Sequence, residues 1–149
     1  MTEPHGGGGG ATSTSARSPA TLLYLAISAG TVVTLVVLVL LGSAGIVDPI
    51  PGLPLTVVRV VGLVLLVLGF TATGMLSGSI PPRQSGENEA AWWQANSGKA
   101  VATWAAAEGL AIVGGVLFLL TADLVLLAGL GGGGLVILVL NRPGRMMEG

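Results

Sequence analysis

The hydrophobic and polar positions of this chain alternate in long blocks. From Leu22 to Leu41 run twenty residues without a charge, "LLYLAISAGTVVTLVVLVLL". At a rise of about 1.5 Å per residue, such a helix covers a hydrocarbon core of roughly 30 Å. A cleaved signal peptide is the competing reading, but the apolar core of such a peptide is typically only about 7 to 15 residues long. A break, "GSAGIVDPIPGLP", follows with three prolines in six positions and cannot continue a helix. The second apolar block gives a span over about residues 55–78; an alternative register starts after Arg59, so the register decides how deep Arg59 sits. Residues 81–99, "PPRQSGENEAAWWQANSGK", form a polar, interfacial segment. The paired Trp92 and Trp93 are expected as interfacial anchors at headgroup level, on a short helix that feeds the next span.

A third span is expected over about residues 100–120 and a fourth over about 124–140. "TAD" turns between them, with Asp123 as N-cap or first-turn acid. Asn141, Arg142, Pro143 and Gly144 end the last span. Residues 1–20, with five consecutive glycines among Ser, Thr and Pro, have little to bury and read as a disordered tail. The domain therefore covers residues 21–145: an all-α integral membrane bundle of four transmembrane helices in two antiparallel hairpins.

Composition agrees with the block pattern. Hydrophobic residues make up 52% and charged residues 9% of the 149, against roughly a quarter charged in ordinary soluble domains. The formal net charge of -1, with only six Lys and Arg, argues against nucleic acid as a partner. Placement of those cations is informative. Four spans put Arg17, Arg83, Lys99, Arg142 and Arg145 on one side, leaving Arg59 with Asp48 and Asp123 on the other. Short loops rich in Lys and Arg stay in the cytoplasm, so both termini are expected there, in a multi-pass protein of the cell (inner) membrane.

In lipid, helices associate through close backbone approach and interhelical hydrogen bonds. Small-residue stripes that serve this are Ala107, Ala111 and Gly115 on span three, Ala26, Gly30 and Thr34 on span one, and Gly62 with Gly69 on span two. The run Gly131–Gly134 has two readings, a kinked midpoint and a smooth packing surface, of which packing is the commoner. It sits inside an apolar helix and lacks the following Lys-Ser/Thr, which excludes a phosphate loop.

One acid interrupts the third span. A charged carboxylate near a bilayer centre costs about 2.5 to 3.5 kcal/mol on insertion scales, so Glu108 must be protonated, paired or hydrated. Three roles stay open: a reversible proton or ion site, a hydrogen bond that fixes helix register, and an ion pair with Arg59. Arg59 is better placed to snorkel outward to Asp48, Asp123 or headgroups. Catalysis is not expected. There is no cysteine, the lone histidine is His5 in the tail, and Ser28, Thr31 and Thr73 are expected to bond back to helix carbonyls. No cofactor or metal is expected either. The partners implied are the lipid bilayer and other membrane-protein helices or a second copy, as for an accessory subunit; the alternative is a proton- or cation-translocating component built on Glu108.

The stretch "WAAAEGLAIVGGVLFLLTADLVLLAGL" resembles a group of small uncharacterised bacterial four-span membrane proteins. Their third span carries an Ala-x-x-Glu-Gly/Ala-x-Ala-Ile/Leu-x-Gly pattern and ends in Leu-Leu-Thr-Gly-Asp. Matching positions are Ala105, Glu108, Gly109, Ala111, Ile112, Gly114 and the Leu119–Asp123 turn, with Ala122 in place of the glycine. The resemblance covers the C-terminal third and implies a fold without an activity. More remotely, "AAAEGLAIVGGVLFLL" is similar to the carboxylate helix of the proteolipid c subunit of rotary ATP synthases. Here, however, the glycine run follows the acid instead of preceding it, and "TAD" replaces the polar Arg-Gln-Pro loop. That similarity implies an ion-site role for Glu108 alone.

Overall fold

The computed structural model describes residues 18–148, so the tail with His5 and Arg17 lies outside the described residues. The described part is helical: α1 (Pro19–Ser43), α2 (Leu55–Gly78), α3 (Glu89–Thr121), α4 (Leu124–Leu126), a π-helical turn (Leu127–Gly131), α5 (Gly132–Leu140) and α6 (Pro143–Glu148). Of these, α1, α2 and α3 are long and apolar enough to cross a membrane, and Leu124–Leu140 is a shorter apolar helix.

Local chemistry sets the helix ends. Pro19 occupies the first turn of α1, where its missing N–H costs nothing, and the Ser18 hydroxyl accepts from Thr21 N–H at 3.3 Å. Asn88 caps α3 by accepting from Ala90 N–H at 2.8 Å. Helix α3 then runs unbroken for 33 residues, about 50 Å at the α-helical rise. The short interfacial helix expected before span three is thus its first turns, because nothing between Ala90 and Ala100 breaks a helix except Gly98, which is tolerated. Ala122 stops α3 in the left-handed conformation, φ 54°, with its N–H donating to Phe118 O at 2.7 Å. Asp123 then caps α4 by accepting from Val125 N–H at 3.0 Å.

Helix α3 is the centre. It packs against α1, against α2 and against the Leu124–Leu140 helix, whereas α1 and α2 scarcely touch each other. The expected hairpin of spans one and two is therefore not a packed pair. Instead the last helix lies between them: Gly131 approaches Leu35 of α1, and Gly133 approaches Leu66 and Phe70 of α2. The long connection makes this possible, and it is tied down where Ile50 N–H donates to Leu120 O at 2.9 Å.

Exposure follows from this arrangement. Only 11% of the apolar window of α1 and 6% of that of α2 is buried, against 44% for α3. A helix that is apolar all round yet mostly uncovered by protein suits an acyl-chain environment, where exposed Val and Leu carry no hydration penalty.

Candidate functional site

Contacts between α1 and α3 fix their register. The Tyr24 and Trp104 rings meet edge-on with centroids 5.4 Å apart, and Gly115 lies against Leu35 and Leu38. The two helices therefore run parallel. The residues of α1 that face α3 follow the spacing 24, 28, 31, 35, 38, 42, and those of α3 follow 104, 108, 111, 115, 118, a seam of alternating four- and three-residue steps. Within this register Ser28 stands level with Glu108. At about 100° of rotation per residue, Glu108 shares the side of α3 occupied by Trp104, Gly115 and Leu119, which is the side turned to α1.

Glu108 is half-buried. Among the described residues it has neither an ion pair nor a side-chain hydrogen bond. Ser28 was expected to bond back to its helix and does not: its buried hydroxyl oxygen has no hydrogen-bond partner among the described residues. Thr31 and Thr73 do behave that way, donating to Ile27 O at 2.8 Å and to Gly69 O at 2.7 Å.

Arg59 is remote from Glu108. It reaches Asp123 with Nε–Oδ2 at 2.7 Å and donates a second bond from Nη2 to Oδ1 at 3.3 Å. Asp123 is fifteen positions along α3 and its turn from Glu108, about 22 Å of axial rise. The reading that pairs Glu108 with Arg59 is overturned, and snorkelling takes the form of a bidentate clamp at the opposite end of the bundle. The hydrogen bond from Arg59 holds the Asp123 carboxyl below the ordinary carboxylate range, against the opposing effect of its burial. A depressed native value means that the clamp contributes to stability at neutral pH and is lost as the pH falls through that value. We expect Asp123→Asn to be less heat-stable than the parent in detergent at pH 7, with the difference closing below about pH 4, in the carboxylate range. Equal differences at both pH values would refute the clamp's contribution.

The expected packing residues lie as follows. Ala107 and Ala111 are fully buried. A methyl group added at Gly115 would stand 2.5 Å from Leu38, at Gly62 2.7 Å from Leu126, and at Gly69 2.9 Å from Leu110. On α1 the contact face is Tyr24, Ser28, Thr31, Leu35 and Leu38; Ala26 and Gly30 are exposed on the other side. Trp92 and Trp93 are 1% and 7% exposed, so the expected headgroup anchors are instead core residues. Trp92 Nε1–H donates to Pro81 O at 3.0 Å, and its ring meets Trp93 edge-on. Sequence reasoning missed Tyr24, Trp104 and Asn141. Trp104 Nε1–H donates to Asn141 O at 2.7 Å, and Tyr24 O–H donates to Leu138 O at 3.1 Å. The heptad-like spacing around Tyr24 and Trp104 was visible, but only the interhelical register gives it meaning.

Among the described residues no three His, Cys, Asp or Glu side chains stand together as metal ligands. Comparison with protein-family models, with curated proteins and with solved structures finds no match to this chain, and its function must be read from the geometry.

Proposed function

We propose that this chain is a four-span protein of the cell (inner) membrane with cytoplasmic termini, and that it works as a non-catalytic accessory subunit packing against another membrane helix or a second copy. The observation that carries this reading is the outer face of α1. Gly30 has nothing within 4 Å of where a Cβ would stand, and Ala26 beside it is exposed. Gly114, Gly115, Gly131 and Gly134 have internal neighbours, whereas Gly74, Gly109, Gly129 and Gly132 are open like Gly30; what sets Gly30 apart is a small residue one turn away on both sides, Ala26 and Thr34. A small-residue stripe left open within its own bundle is suited to close approach by a further helix. Arg83, Lys99, Arg142 and Arg145 near the end where α1 begins support the orientation.

Because the chain contains no cysteine, a Gly30→Cys variant reports on this face alone. Cross-linking in native membranes is expected to trap one discrete adduct. Gly30→Leu is expected to weaken that association roughly tenfold without changing the unfolding temperature. A strictly monomeric product under cross-linking would overturn the reading.

A second reading, a proton- or cation-translocating component, is favoured by one observation: Glu108 is half-buried at a position on the α1–α3 seam and not fully exposed. Proton flux in proteoliposomes tests it.

A further inference from the structure

We propose that Ser28 and Glu108 form a single-proton binding site across the α1–α3 seam, with the Ser28 hydroxyl as partner of the carboxyl. The inference deepens the second reading above and rests on it only for the role of the proton. Two independent observations converge. The acid occupies a seam position with no partner among the described residues. On the facing helix, at the same level of the register, stands a buried hydroxyl that bonds to nothing described, Glu108 included, although its neighbour Thr31 makes the ordinary bond to its own helix; the proposed bond therefore forms by rotation of the two side chains toward each other across the seam.

The chemistry explains why a hydroxyl suits this position. It both donates and accepts from a single atom, whereas a guanidinium or ammonium can only donate and so favours one protonation state. With the carboxyl neutral, its O–H donates to Ser28 Oγ. With the carboxyl ionised, the Ser28 O–H donates to the carboxylate. Gain or loss of one proton thus reverses the direction of one hydrogen bond, so the pair keeps a shared bond in either protonation state, which in a low-dielectric setting offsets part of the cost of burying both groups.

Among the described residues, the helices packed against α3 bring no other charged side chain to this level. Helix α1 carries no charged side chain, the only one on α2 is Arg59 at the far end, and Leu124–Leu140 carries none. The Tyr24 hydroxyl is already donating to Leu138 O. With only three side-chain oxygens from the pair, and α-helical backbone around it, the site suits a proton better than a metal cation, for which hard-cation sites commonly use six or more oxygens.

Infrared difference spectroscopy of the full chain in liposomes, recorded across a pH step, tests the site. The parent is expected to show the C=O stretch of a protonated carboxyl, and Glu108→Gln should abolish it. Ser28→Ala should move that band to higher wavenumber because the hydrogen bond is lost, and Ser28→Thr, which keeps the hydroxyl, should restore it. A Ser28→Ala band at the parent position overturns the partnership. Absence of a carboxyl band in the parent overturns the site altogether. Proton flux in the same liposomes is read separately: its absence with the band and shift present overturns translocation and supports a static proton-holding pair.

Discussion

Gly134→Val should separate the last helix from α3 and cost the fold more than a change at any neighbouring glycine. A Cβ at position 134 would stand 2.5 Å from Ala107 O, 2.7 Å from Ala111 Cβ and 2.8 Å from Ala111 N. The obstructing atoms are mostly backbone of a continuous helix, so no rotamer change relieves them. Overpacking typically costs about 1 to 3 kcal/mol where side chains can yield; with backbone in the way, about 3 kcal/mol or more is expected. Gly114 faces the same crossing, where an added methyl would collide with Gly131 N and Leu130. Gly132 is the control. Nothing lies within 4 Å of its Cβ direction, so Gly132→Ala should be neutral or stabilising by up to about 1 kcal/mol, the helix-propensity difference. Unfolding in mixed detergent micelles would measure the contrast, and equal losses at 132 and 134 would contradict close packing as the cause.

The second large effect is expected at Trp104. Its ring is 1% exposed, meets Tyr24 edge-on and lies 6.3 Å from Trp93, and its Nε1–H donates to Asn141 O at 2.7 Å. It therefore ties α1, α3 and the end of α5 together. Large-to-small changes of this kind cost about 3 to 5 kcal/mol in soluble cores. The cavity and dispersion part of that cost survives in lipid, because the atoms lost are protein contacts and not water-exposed area. Trp104→Phe should recover most of the packing while giving up the hydrogen bond, a loss of about 1 kcal/mol. If Phe proves as damaging as Ala in the same unfolding assay, the hydrogen bond and not the ring holds the three helices.

Both predictions arise at contacts that local patterning does not announce. The extent of α2, Leu55–Gly78, is legible from its uncharged run and the breakers around it, whereas α3 starts at Glu89 and not near 100, because a polar stretch without breakers sustains a helix as well as an apolar one does. Asp123 was read as a cap, and its side chain accepts from Val125 N–H. These features depend on a few neighbouring residues, on backbone hydrogen bonding and on the missing N–H of proline, all of which operate within one or two turns.

Which face meets which helix was not legible in the same way. On α1 the stripe Ala26, Gly30 and Thr34 and the seam Tyr24, Ser28, Thr31 and Leu35 are equally plausible as patterns. In a helix apolar on every side, hydrophobic periodicity no longer separates the protein-facing side from the lipid-facing one. The inward turn of Trp92 and Trp93, the placing of the last helix between α1 and α2, and the joining of Arg59 to Asp123 all follow from contacts across more than ten positions of chain. By itself, the amino-acid sequence determined the bounds of α2, the turn capped by Asp123 and the presence of an acid within the third span, because those outcomes are local, but not the start of α3 at Glu89 or the helix Pro143–Glu148. Only the tertiary structure decided that the position of this acid comes level with Ser28 of α1, because the α1–α3 register is settled by the close approach of Tyr24 to Trp104 and of Leu38 to Gly115.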